Sequence, residues 1–284
     1  MVHRIWRSFR ERSCCGSGCV VFLIAIANLG SVAAQEPVTP ENTELAELLA
    51  SARDYKIRIT KPDAVLKLRE PPVLNFTNPE RNQERGSVFV WMQDERPAVI
   101  GQFFCFDVMG RRATKHALHS LSASPLEARY HDSVAWSPQQ PGLDWKPFAD
   151  APAVDASHAK RLLQMRQLTR RFKVNLIDPK DKATELRLAP RPLFEYSAPK
   201  VGVTDGGIFS YVIATDPEAI LLVEAFDDGG QSGFRYAFAR FHFYRLTAAD
   251  GDKTVWDVPL DLDMKGNTIG NPATIKKVYN SYHP

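Results

Sequence analysis

The sequence predicts an α+β fold, mainly antiparallel β, built as two tandem repeats of a helix followed by a curved antiparallel sheet. Three observations predict it. The stretch "RGSVFVWMQDERP" at 85–97 returns 120 residues later as "DGGIFSYVIATDP" at 205–217. The self-match continues without a gap. Positions 66–138 carry 16 identities at that offset, among them Leu66/Leu186, Gly86/Gly206, Pro97/Pro217, Asp107/Asp227 and Trp136/Trp256, where ordinary composition gives about four or five. Each copy also opens on a helical period and continues in alternating, β-rich runs. A two-sheet β-sandwich is the alternative architecture.

The N-terminus stands apart. "MVHRIWRSFRER" is basic, "CVVFLIAIANLG" is an apolar run of 12 residues and "SVAA" supplies small residues before Gln35. This order predicts a signal peptide over 1–34, cleaved after Ala33 or Ala34, and the run is shorter than the ~20 residues a membrane span needs. An uncleaved anchor is the alternative. Export to the periplasm, cell surface or medium follows, with no stable membrane span after cleavage. The leader holds Arg4, Arg7, Arg10 and Arg12 against Glu11, so its loss takes the chain from a formal charge of +3 to neutrality. Net charge therefore gives no reason to expect a nucleic-acid partner. Lys160, Arg161, Arg166, Arg170, Arg171 and Lys173 form one basic cluster, read as the solvated face of a helix. Of four cysteines only Cys105 follows the leader, in "GQFFCFDV", where a small core residue is expected rather than a disulfide.

Repeat 1 spans 41–138. Leu45, Leu48, Leu49 and Ala52 share a helical face after the cap candidates Asn42 and Thr43, and "YKIRI", "GSVFVWM" and "PAVIGQFFCF" read as strands about a tight "DERP" turn. A linker rich in Pro and Asp covers 139–155. Repeat 2 spans 156–259: Leu162, Met165, Leu168 and Phe172 follow Asp155 or Ser157, and "EAILLVEAF", the long "FRYAFARFHFYRL" and "DGDKTVWDV" follow as strands. Runs such as "AILLVEAF" are apolar on both faces, so they need a helix on one side and the other copy on the other. The tail 260–284 has no clear period.

Motifs that carry chemistry are nearly absent. No dinucleotide, phosphate-loop, zinc-protease or nucleophile-elbow pattern occurs, and "DLDMKG" has Lys265 where a calcium loop needs Asp or Asn. His116 and His119, three apart on a strand, point to opposite faces. No cofactor or metal set is expected. One constellation stands out: Glu224 shares a face with Ile220 and Leu222, and Phe234, Tyr236, Phe238, Arg240, His242 and Tyr244 share another alternating row. Charges among such residues are costly unless paired, so Glu224 is expected to meet Arg240 across neighbouring strands, with His242 or Tyr211 near. The first copy has Phe104, Ser120 and Ser122 at these positions. Tyr211, Tyr236 and Trp145 are the candidate ligand-binding rings.

The leader together with "RGSVFVW", "KHALHSL", "LLQMRQLTRRF", "LRLAPRPLFEY", "DGGIFSYVIATDPEAILLVEA" and "FRYAFAR" resembles a family of uncharacterised exported proteins of planctomycete-type bacteria. The resemblance implies a bacterial periplasmic or surface setting and carries over no functional residue. Two functions stay open. One is a non-catalytic binding or scaffold module for an unknown macromolecule or polysaccharide. The other is a hydrolase of an envelope or extracellular polymer, with Glu224 as acid or base beside His242 and Arg240. A deep cleft holding all three within hydrogen-bond reach favours the hydrolase; a dry seam with Glu224 locked to Arg240 favours the scaffold.

Overall fold

The structure, a computed structural model, describes residues 40–82 and 84–284. The expected leader lies outside the described residues. The first helix, α1 (Pro40–Arg53), begins before Asn42 and Thr43, on a proline whose missing N–H is no loss at the first helical turn. It is followed by β1 (Tyr55–Thr60), β2 (Asp63–Val65), β3 (Lys67–Asn78), β4 (Glu84–Gln93), β5 (Arg96–Val108), β6 (Arg111–Ser120), β7 (Leu126–Tyr130) and β8 (Ser133–Trp136). The linker contributes β9 (Lys146–Pro147). The second copy then repeats the plan with α2 (His158–Thr169), β10 (Phe172–Ile177), β11 (Ala183–Glu185), β12 (Arg187–Leu188), β13 (Phe194–Ala198), β14 (Val203–Ile213), β15 (Asp216–Asp228), β16 (Gln231–Arg240), β17 (Arg245–Asp250) and β18 (Lys253–Val258), and the tail adds β19 (Tyr279–Tyr282). The fold is α+β and antiparallel throughout its sheets, with a helix ahead of each block of strands.

The repeat holds at the level of single residues. Both β5 and β6 start and stop 120 residues before β15 and β16. The turn residues Met109 and Gly110 have φ of 49° and 75°, and their equivalents Gly229 and Gly230 have 59° and 94°, the positive pair that a two-residue hairpin turn demands. Gly86 and Gly206 recur for a packing reason. A Cβ there would come within 2.7 Å of the Phe76 ring and 2.3 Å of the Tyr196 ring respectively, so the missing side chain lets each aromatic lie across its neighbouring strand.

Each copy divides its strands between two sheets rather than one curved sheet. A small sheet, ordered β2-β1-β7-β8 or β11-β10-β17-β18, faces a large one, ordered β19-β6-β5-β4-β3 or β12-β14-β15-β16-β9 with β13 also on β14. The reason is two-sided apolarity. In β4, Phe89 and Trp91 enter a core with Leu48 and Ala52 of α1 and Ile57 and Ala128 of the small sheet. The alternate residues Val88 and Val90 enter another core with Ile208, Ile220 and Leu222 of the second copy. The second copy repeats this, with Phe209, Leu221 and Val223 turned to α2 and the small sheet. The large sheets thus meet back to back along a seam, and each carries a helix and a small sheet on its outer face.

"FRYAFARFHFYRL" is not one strand. It breaks after Arg240, where the guanidinium donates to the carbonyls of His242, Tyr244 and Pro259 and holds 241–244 as a loop. The alternating row ends at Arg240, and His242 and Tyr244 leave it.

Candidate functional site

Glu224 and Arg240 do not meet. Glu224 stands opposite Arg235 and Arg240 opposite Ala219; an even and an odd position on one strand face opposite ways, so Arg240 lies on the far face of the sheet from Glu224. Glu224 is fully buried at the seam. Its Oε1 accepts from Arg96 Nη2 of the first copy at 2.8 Å and from the Tyr196 hydroxyl at 2.8 Å, and its Oε2 from Arg235 Nε at 2.7 Å. Both guanidiniums lie over the Trp145 ring, at 5.4 and 5.0 Å from its centroid. Every lone pair of the carboxylate faces a donor, and Trp145 is a lid rather than an open stacking platform. Tyr211 is buried and donates to the Thr169 carbonyl. Tyr236 packs between Phe148 and Phe172.

A different group of charges opens a pocket at the other end of the seam. The register of β14 on β15 slips by one residue, since Tyr211 opposes Ala219 while Val212 opposes Pro217, and Glu218 is the extra residue of that bulge. The first copy has the same bulge with Ala98. Asp216 and Glu218 are each 1% exposed. Asp216 accepts from Gln102 Nε2 at 2.7 Å and Asn78 Nδ2 at 3.1 Å, and Arg81 Nη1 lies 3.3 Å from it and 2.7 Å from Glu218 Oε1. That last contact is a close ion pair, and among the described residues Glu218 Oε1 accepts no aligned hydrogen bond. Glu84 and Lys115, both buried, complete the polar wall. Phe104, Phe106, Phe241, Phe243, Tyr244 and Tyr279 supply the rings around a cavity of about 390 Å³.

Burial governs the protons here. It pushes Glu84 up to about 8, helped by the charge of Asp216 and resisted by Arg81 and Lys115. Burial also pushes Asp216 up to about 6 against Arg81 and its amide donors, and raises Glu218 well above the usual carboxylate range, with the Asp216 charge adding to it. With burial and the Asp216 charge both acting on it, Glu218 is the more basic of the two neighbouring carboxyls. Lys115 falls to about 8 on burial, with Glu84 opposing the fall. His242 also lines the pocket. Burial, then the cations Arg81, Arg240 and Lys115, hold it well below its ordinary value. Because its Nδ1 accepts from the Tyr244 N–H at 2.9 Å, the neutral ring carries its proton on Nε2 and acts as a donor.

Of the candidate catalytic and ligand-binding residues read from sequence, His242 alone lines this pocket, joined by Tyr244 from the same alternating row. Asp216, Glu218, Glu84 and Arg81 were missed. Asp216 and Glu218 precede Ile220, Leu222 and Glu224 at the same spacing of two, so the argument that drew attention to Glu224 applied to them as well. Their place next to a turn disguised it. His116 sits among Tyr55, Phe103 and Tyr282, while His119 turns to the Ser120 carbonyl and Tyr279. Cys105 is a buried core thiol. Five of the six members of the basic cluster have separate local partners: Arg161 with Asp205, Arg171 with Asp250, Lys160 with Asp155, Lys173 with Glu185, and Arg166 on the Pro190 carbonyl. Among the described residues no helix is long and apolar enough to cross a membrane. Neither a protein-family model, nor a curated protein, nor a solved structure matches this chain.

Proposed function

We propose that this protein is an exported, non-catalytic binding module of the periplasm or cell surface, and that the seam pocket binds a polyhydroxylated ligand such as a fragment of an envelope polysaccharide. The observation that carries this reading is the lining: six rings and a set of buried groups that both donate and accept. Arg81 and His242 donate, Asp216 accepts, and Glu218 Oε1 takes no aligned hydrogen bond among the described residues. Sugar hydroxyls do both, and sugar C–H faces stack on rings. The cavity volume falls within the range of small-molecule sites. With the cations of α2 individually engaged, a nucleic-acid partner has no support. Glu224 belongs to a closed ion cluster, which supports a scaffolding role for that residue.

Thermal unfolding of the purified protein against polysaccharide fragments tests the reading. A ligand at about 100 times its Kd stabilises by ~2.7 kcal/mol, several degrees in Tm. The shift should vanish in Asp216→Asn/Glu218→Gln. A shift that survives this double change, or none from any saccharide, refutes the assignment.

A hydrolase is the second reading, favoured by the proton distribution. Between about pH 6 and 8 Glu84 is protonated while Asp216 is ionised, the pairing that general acid–base catalysis uses. Release of reducing ends with a bell-shaped pH profile, abolished by Glu84→Gln, would establish it; binding without turnover would not.

A further inference from the structure

The internal repeat exposes a second site, beside the seam pocket and sharing Tyr279 with it. On β6 the outer edge is filled by the tail: Tyr282 opposes His116, Asn280 opposes Leu118, and the Ser120 N–H donates to the Val278 carbonyl at 3.0 Å. On β16, 120 residues later, the same edge is only half filled. Pro147 opposes Arg235, Lys146 opposes Tyr236, and the Phe148 N–H donates to the Phe234 carbonyl. Main-chain groups of alternate residues point to the same edge of a strand. Phe234 faces outward, so Phe238 and Arg240 face outward too, as their equivalents Leu118 and Ser120 do. Among the described residues no strand pairs with that edge along Ala237–Arg240. Beside it lies a cleft of about 710 Å³, which the linker borders with Asp144, β18 with Trp256, and the tail with Tyr279.

We propose that this edge receives an extended peptide of a partner protein, which adds an antiparallel strand to β16 in the register the tail uses on β6. An unpaired sheet edge supplies main-chain donors and acceptors, and flanking pockets select alternate side chains. The residue opposite Phe238 would lie beside Phe238 and Trp256, whose rings stack at 5.0 Å, and must be apolar or aromatic. The residue two positions before it in the peptide comes opposite Arg240. That guanidinium is bound to three carbonyls and to no carboxylate, so an acidic side chain suits this position. The recognised motif is therefore an acidic residue, any residue, then an aromatic or aliphatic one, all in extended conformation.

Residue-resolved amide hydrogen exchange on the full chain tests this, with the capped pentapeptide TEVYV as probe, which ends opposite Ala237 short of Lys146, and a copy N-methylated at alternate residues as control. Without peptide, Phe238 and Arg240 should exchange about 100-fold faster than Leu118 and Ser120, because a strand pair protects amides. The probe should slow Phe238 and Arg240 at least tenfold, the N-methylated copy should not, and Trp256→Ala should weaken the effect. The proposal is overturned if those two amides are already as protected as their equivalents. It is equally overturned if they gain protection with protein concentration instead of peptide, which would make the occupant a second copy, or if millimolar probe leaves them unchanged.

Discussion

At one end of the seam Arg96 of the first copy grips Glu224 of the second; at the other end the same two positions, with the copies exchanged, are Asp216 and Phe104. Two repeats packed by a common face bring each pair of equivalent positions together twice. Around Glu224 stand Tyr196 and Arg235, and their equivalents at the other end are Phe76 and Lys115. Where Glu faces Arg the seam closes over a saturated carboxylate. Where Phe104 replaces the Glu and Asp216 replaces the Arg, no ion pair can span the same gap. Asp216 then takes Arg81, Asn78 and Gln102, at positions where the second copy has Val201, Ala198 and Leu222. The lesson is that duplication supplied one geometry twice, and charge reversal at one position with charge loss at its partner left an opening at one end only.

The largest test of this contrast is one chemical change made at both ends. Glu224→Gln should cost about 3–5 kcal/mol in urea unfolding, because two guanidiniums stay at the seam without their anion. Glu84→Gln should instead raise stability at neutral pH, because the amide resembles the protonated carboxyl yet needs no proton taken up on folding. Equal costs would break the comparison. Next in size is closure of the open end by Phe104→Glu with Asp216→Arg. The expected outcome is loss of the ~2.7 kcal/mol that a saccharide at about 100 times its Kd adds, with unliganded stability within ~1 kcal/mol of the parent. Saccharide binding that persists in this double variant would show that the pocket does not depend on the charge reversal.

Much of the fold was legible because the repeat is a property of the sequence itself. The "DERP" and "ATDP" turns fell where φ turns positive at Asp94 and Ala214, and "AILLVEAF" is buried on both faces as its composition requires. Two features were not legible. Alternation cannot tell whether a strand after a turn pairs back on its neighbour or on a distant partner, so a two-sheet arrangement stood only as the alternative to one curved sheet. Nor can it show that the run beyond Arg240 breaks, because the three carbonyls that hold the loop are main-chain groups without a sequence signature. The site failed for a related reason. Glu224 was read with Arg240 because both interrupt apolar rows, yet the strand register puts them on opposite faces. Arg96, its partner from the other copy, could be found only by asking which residues meet across the seam.

The smallest effect, and the one that reads the open end most directly, is the slope of stability against pH. Glu84 has a folded pKa of about 8 against an ordinary value of 4.5. Between those values the folded state keeps a proton that the unfolded chain has released. Stability from this group is complete below about 4.5 and declines as pH rises to about 8, by ~1.4 kcal/mol per pH unit for one proton. Glu218, also raised, adds a decline of the same sign. Lys115 acts oppositely above 8: its folded value of about 8 lies below 10.5, so the folded state sheds its proton first and stability recovers between them. Above about pH 7, where the buried His116, His119 and His242 are neutral in both states, urea titrations up to pH 10 should therefore show a fall to about 8 and then a partial return. Glu84→Gln should flatten the fall by about one proton's worth, and Glu224→Gln should leave that slope in place while lowering the whole curve. A slope unchanged by Glu84→Gln would mean that the open end holds its carboxylates ionised, and the contrast between the two ends of the seam would then rest on packing alone.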